Sequence, residues 1–357
     1  MDDAYDCIAV VGTGGLAWHL LVALLECGRF AQVRAVTRAG GDAAKRARVA
    51  ALRDLGADVA EYAAASEAAF ARAFAGIDTV VSAVGLGGVG AQVAMADGAL
   101  QAGVRWFLPS EFGLPGYASA WLPFAGPLAP KAAVRRHLAA CGLPHTVVYT
   151  GLALDYLDPR ALGLKLRRRA ATLVGRGGAP ASFTALHDVV RLIVAVVLRP
   201  HDMRARVVRY AASTAIMRDL VKLAADGDRG DRVKIVCIAD AKRKFAELAR
   251  RQDCAAFQIY TRLLIEEGLA RVDRAGDSLD NACFPELHPE SVHDTLRRLI
   301  KLAAAPDPPA APDPAPPRLP VAHRADTYAS VTDGLGRTQR TPAPPPDPEK
   351  RLASAAP

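Results

Sequence analysis

The chain has 357 residues, 51% of them hydrophobic and 23% charged, with a formal net charge of +8. That length suits about two domains, or one large domain with a tail, and the composition is too apolar for a mostly disordered chain. The positive charge is spread along the chain as arginines, with one dense cluster at Lys165, Arg167, Arg168 and Arg169; without a C-x-x-C…H-x-x-x-H finger or an aromatic-rich RNA motif, it describes a mildly basic protein and not a nucleic-acid binder.

The acidic start Met1-Asp2-Asp3 leads straight into an apolar run, so no signal or transit peptide is expected. Residues 7–11 read as a strand ended by glycines, and Leu16 to Cys27 as an amphipathic helix. The alternation continues with Val33–Thr37 (strand), Ala43–Leu55 (helix), Asp58–Glu61 (strand), Glu67–Phe74 (helix) and Asp78–Ala83 (strand). Ala91–Ala102 (helix), Arg105–Leu108 (strand), Lys131–Ala140 (helix) and His145–Tyr149 (strand) complete it. Such alternation implies an α/β fold with a doubly wound parallel sheet covered on both faces. Beyond Gly151 the pattern loosens. Segments 183–198 and 207–211 are expected to return to the sheet, and most of 152–305 to build a smaller substrate-binding lobe after a nucleotide-binding domain at 1–151. Proline-rich runs after Ala303 make 306–357 an expected disordered tail.

Cys7, Cys27, Cys141, Cys237, Cys254 and Cys283 lie far apart without metal-ligand spacing, so they read as thiols of a reducing compartment, with no metal site. No apolar stretch is long enough to span a bilayer, and the cytoplasm is the expected location.

Gly12-Thr13-Gly14-Gly15-Leu16-Ala17 fits G-x-G-x-x-A between a strand and a helix. The first glycine permits the tight turn, the second lets a pyrophosphate approach the backbone, and the small last residue lets helix and strand pack closely. The helix amino terminus then offers N–H groups and a dipole to phosphate. An acidic residue at the end of the second strand would bind a ribose 2′-hydroxyl; this chain carries Arg38 there, suited to a 2′-phosphate, with Lys45 as a second cation on the next helix. NADP(H) is therefore the expected cofactor. Ser82 and Val84 begin a small-residue segment at the end of the fourth strand, where ribose and nicotinamide would lie. Gln92 and Ser110 are further candidates to face the cofactor.

The run Phe107-Leu108-Pro109-Ser110-Glu111-Phe112-Gly113 places a polar cluster at the carboxyl end of an apolar strand, on the ligand side of such a sheet. Four residues before Lys131 stands Pro127, so the tyrosine-lysine pair of ordinary short-chain dehydrogenases is absent. The lysine remains, with Ser110, Glu111 and His187 as candidate polar companions. These segments, F-L-P-S-E-F-G at 107–113, K-A-A-V-R-R-H-L at 131–138 and G-L-P-H-T-V-V-Y-T-G at 142–151, resemble the NmrA-like, isoflavone-reductase-like branch of atypical short-chain dehydrogenases. The glycine loop, G-I-D-T-V-V-S-A-V-G at 76–85 and G-R-G-G…F-T-A-L-H-D-V at 175–189 follow the same order, so the resemblance spans about residues 6–300.

The resemblance implies a Rossmann-like fold and Lys131 as general acid/base, with Glu111 as a structural carboxylate bonded to nearby backbone and Asp188 as a structural anchor. It implies an NADPH-dependent reductase of a small aromatic or conjugated molecule. The alternative within the same family is a non-catalytic redox sensor that binds the dinucleotide and regulates a protein partner; no nucleic acid or membrane partner is expected. Plant reductases of this family carry Asn and Phe where this chain has Gly151 and Ala153, so it resembles fungal-type members more closely.

Overall fold

Strand β1 (Cys7–Val11) is buried along almost its whole length, because parallel neighbours flank both its edges and helices cover both its faces. The computed structural model describes residues 5–115, 128–156, 159–225, 233–251, 255–273 and 277–304. All of them lie in one compact unit, Met1–Ala322. The expected tail lies outside the described residues.

After β1 come α1 (Leu16–Cys27), β2 (Gln32–Arg38), α2 (Ala43–Asp54), β3 (Asp58–Tyr62), α3 (Glu67–Ala73), β4 (Thr79–Ser82), α4 (Gln92–Gln101) and β5 (Trp106–Leu108). The five strands form one parallel sheet in the order β3-β2-β1-β4-β5. Chain direction across the sheet reverses between β1 and β4, which makes the carboxyl end of that pair the switch point where ligands of open α/β sheets bind. The glycines after β4 form a 3-10 turn, Leu86–Ala91, leading into α4.

Helix α5 (Ala129–Cys141) follows, then β6 (Val147–Tyr149). The Phe107 N–H donates to Pro144 O at 2.9 Å and the Thr146 N–H to Phe107 O at 3.0 Å, so β6 continues the sheet beyond β5. The later elements are β7 (Leu164–Lys165), β8 (Ala170–Val174), β9 (Pro180–Phe183), α6 (Leu186–Val197), α7 (Pro200–Met203), β10 (Val207–Arg209) and β11 (Ser213–Ile216), then α8 (Met217–Ala224), β12 (Val233–Val236), α9 (Ile238–Arg250), α10 (Ala255–Glu266) and α11 (Val292–Ala304). Strand β10 pairs in parallel with β6.

The expectation for 183–198 is corrected: Leu186–Val197 is a helix, and only Phe183 belongs to a strand, β9, which pairs antiparallel with β11. The run Val189-Val190…Ile193-Val194…Val196-Val197 carries strand propensity, but it is buried against α1 with its polar residues, His187, Asp188 and Arg191, gathered on one helical face; that packing outweighs a propensity difference of a few tenths of a kcal/mol per residue. A buried cluster within Ala9–Leu143 fills the sheet's helical layers. A second, within Leu114–Ile300, lies among β7–β9, β11 and α8–α11. No helix among the described residues is long and apolar enough to cross a membrane.

Candidate active site

The glycine turn closes on the switch point. Gly12 has φ +122°, and a Cβ there would sit 3.0 Å from the Ala83 carbonyl oxygen and 3.1 Å from the Ala17 methyl. Its N–H donates to Val36 O at 2.9 Å, while the Ala83 N–H donates to Val11 O at 3.0 Å. Gly12, Ala17 and the start of the β4 loop are thereby pressed together, which is why the first glycine and the small residue five positions later are both needed. Gly14 faces open space, and Thr13 and Leu16 are buried beside it. Gly15 caps α1 with φ +49°; no side chain caps this end and no acidic residue stands in the first turn, so nothing fixed competes with an anion there.

A residue that sequence reasoning missed stands over this turn. Tyr156, in the segment after β6 and 50% exposed, brings its ring carbon Cε2 and its hydroxyl within 2.7 Å of where a Gly15 Cβ would lie. Nothing local in that segment signals proximity to residue 15.

At the end of β2, Arg38 is exposed and its guanidinium has no hydrogen-bond or ion-pair partner among the described residues. The Lys45 ammonium donates to the Arg38 carbonyl, and the Lys45 N–H to the Asp42 carboxylate at 2.7 Å, capping α2. The two cations expected from the sequence are therefore neighbours. Ser82 is fully buried with its hydroxyl against the Met95 sulfur, 3.7 Å away. Ser110 donates its hydroxyl to Val84 O at 2.8 Å and its N–H to the Gln92 side-chain oxygen at 2.7 Å; the Gln92 amide nitrogen donates to Val89 O at 3.4 Å. Val84, Gln92 and Ser110 thus form one brace tying the loop after β4 to the loop after β5.

Lys131 lies in the first turn of α5 and is 7% exposed; Glu111, after β5, is 1% exposed. The Lys131 ammonium is 3.7 Å from Glu111 Oε2, and Arg135 donates to Glu111 Oε1 at 3.1 Å. Among the described residues the partners of the Glu111 carboxylate are thus two side chains and no backbone N–H. Lys131 and Arg135 are spaced i, i+4 on one helix face, so both reach the same carboxylate; the K-A-A-V-R spacing was the available signal. Burial pulls the Lys131 pKa below the ordinary lysine value, Glu111 pushes it back up and Arg135 adds to the lowering.

His187 does not join this group. Its ring pairs with Asp188 at 3.3 Å, and Asp188 also accepts from Arg191 at 3.2 Å and from the Glu290 N–H at 2.8 Å. Burial raises the Asp188 carboxyl pKa against the pull of these partners. Among the described residues no group of three His, Cys, Asp or Glu side chains is placed to hold a metal ion.

A glycine turn at the switch point of a parallel sheet, with a buried lysine on the same side, defines a doubly wound α/β protein with its chemistry at the strand ends. A profile of the NmrA-like family matches residues 5–241, and the chain belongs to that family. It is 28% identical over 226 residues to the isoflavone reductase homolog P3 of Arabidopsis thaliana, covering 60% of this chain and 72% of that protein. It is 30% identical over 220 residues to the oxidoreductase aprR of Aspergillus flavus, covering 60% and 71%. In fold it is similar to leucoanthocyanidin reductase from Vitis vinifera, solved with NADPH, with a TM-score of 0.66 and 19% identity over 82% of this chain and 99% of that one.

Proposed function

We propose that the protein is an NADPH-dependent reductase of a small aromatic or conjugated organic molecule, with Lys131 as the general acid. The observation that carries this reading is the buried lysine beside Glu111, on the strand-end side where the glycine turn also lies. The residues fit the cofactor: the Gly12 turn is a cradle that a Cβ would fill, and Arg38 is a cation without a partner among the described residues. Residues 12–17 would hold the pyrophosphate and Arg38 with Lys45 the 2′-phosphate. The brace of Val84, Gln92 and Ser110, with Ser82 behind it, would shape the nicotinamide end. When bound, NADPH supplies a hydride to the substrate. Lys131 donates the matching proton to the substrate atom that gains negative charge, and the resulting amine is reprotonated from solvent. Names among the relatives, isoflavone reductase and leucoanthocyanidin reductase, support a phenolic or aromatic substrate. We divide the chain into a nucleotide-binding domain at 1–151 and a substrate lobe within 152–305, and read it as a fungal-type member on Gly151 and Ala153.

The test is NADPH oxidation by the purified protein over a panel of aromatic ketones, enones and benzylic ethers. Tight NADPH binding without turnover on any of them, together with capture of a specific protein partner, would replace this reading with that of a redox sensor. Fluorescence titration should show NADPH bound more tightly than NADH. Arg38→Ala should weaken NADPH by roughly tenfold to a hundredfold and leave NADH unchanged, as expected for the loss of charge-assisted bonds worth about 1.5–3 kcal/mol. Equal affinities in the unaltered protein would remove the argument from Arg38.

A further inference from the structure

We infer that Glu111 is the positioning residue of this site: its carboxylate, itself bonded by Arg135, holds the Lys131 side chain charged and in place at ion-pair distance. The inference rests on the reading of Lys131 as proton donor.

Glu111 is one of the most deeply buried charged side chains in the structure, and it lies between two cations from one helix face. The two contacts differ in kind. Arg135 makes a hydrogen bond at 3.1 Å to Oε1, whereas Lys131 stands 3.7 Å from Oε2, a longer, ion-pair contact. Glu111 Oε2 is buried, and the cation it faces is the Lys131 ammonium, while Oε1 faces Arg135.

Arginine does not lose its proton in proteins, so of the two cations facing Glu111 the one able to give up a proton is Lys131. The exchangeable proton of the cluster is therefore the one on Lys131. Before transfer the three groups carry a net charge of one; after it, Glu111 and Arg135 remain as a neutral hydrogen-bonded pair, so no isolated charge is left buried. Among the described residues the charged groups facing Lys131 are Glu111, from the segment after β5, and Arg135, from its own helix. Further along α5, His137 is engaged instead by Asp97 of α4 at 2.7 Å.

The test uses the full-length, cofactor-free protein, so it needs no substrate. Trace labelling with acetic anhydride across a pH series, with the peptide containing Lys131 quantified by mass spectrometry, gives the titration midpoint of that amine. Glu111→Gln should lower the midpoint by about one pH unit or more, the effect of removing an opposite charge at this range. Glu111→Asp should leave it close to the original value, and Arg135→Gln should raise it. A merely structural role predicts another sign for Glu111→Gln: loosening would hydrate the lysine and raise its midpoint toward the ordinary value. An unchanged or raised midpoint in Glu111→Gln overturns the proposal. If that variant fails to fold, an unchanged or lowered midpoint in Arg135→Gln does so instead. Full turnover by Lys131→Ala would overturn the proton-donor reading, and it is a separate measurement from these midpoints.

Discussion

Lys131→Ala should lower NADPH-dependent reduction by roughly 10²–10⁴-fold, the usual contribution of a positioned general acid, while NADPH binding stays within a small factor of the original. The expectation follows from where the side chain is anchored. Lys131 reaches the strand-end side from the first turn of α5, whereas the glycine turn and Arg38 belong to β1, α1 and β2. Truncation also leaves no orphaned carboxylate, because Arg135 still bonds Glu111, and the fold should survive it. Breaking a buried pair with no remaining partner would cost about 3–5 kcal/mol. Lys131→Arg keeps the charge but binds its proton too tightly to release it, so it should be almost as inactive as the alanine variant. Stopped assays on a responsive substrate, with fluorescence titration of NADPH on the same preparations, check both halves. In the reductive direction the ammonium is the active form, so kcat/KM should fall as pH rises through the Lys131 pKa. Burial places that limb below the ordinary lysine range. Full activity in Lys131→Ala would end the assignment.

Gly151→Asn should destabilise the protein by roughly 2–5 kcal/mol, combining backbone strain and overpacking. Gly151 has φ +72°, and a Cβ there would stand 2.3 Å from the Ser182 carbonyl oxygen and 2.9 Å from the Ser182 Cβ. The neighbouring backbone cannot easily retreat: Gly151 N–H donates to Gly113 O at 3.1 Å and Leu152 N–H to Ser182 O at 2.8 Å, fastening the end of β6 to β9 and to the strand-end loop. Asparagine tolerates left-handed backbone better than other residues, so the substitution isolates the contact from the torsion. Gly103 supplies the control, with φ +76° and nothing within 4 Å of its would-be Cβ. Gly103→Asn should therefore cost less than about 1 kcal/mol. Urea denaturation of the three proteins compares them directly, and equal losses at the two positions would refute the contact argument. The same geometry leaves no room for an asparagine side chain at position 151.

Wherever a decision depends on residues close in the chain, the sequence was enough. Helical periodicity located α1 to α5, and short apolar runs ended by turn residues located β1 to β6, each to within a few residues. The Gly12–Ala17 turn was legible for the same reason: torsion, close approach and helix start fall within six consecutive residues. The run at 186–197 was less legible, because its β-branched residues favour a strand and its polar face is only His187, Asp188 and Arg191; packing on α1 made it a helix.

What only the tertiary structure decided are the pairings that sheet order creates. Parallel strands joined by crossovers gather their carboxyl ends at one edge, so residues far apart in the chain meet there. That is how Tyr156 comes to stand over Gly15, how Ser182 excludes a side chain at Gly151, and how Gln92 and Ser110 come to brace one another. It is also how Glu111, leaving β5, meets two cations of α5. The sequence by itself named Lys131; the burial and the shared carboxylate that govern its charge are set by the fold, because desolvation and Coulomb forces depend on distance in space and not along the chain.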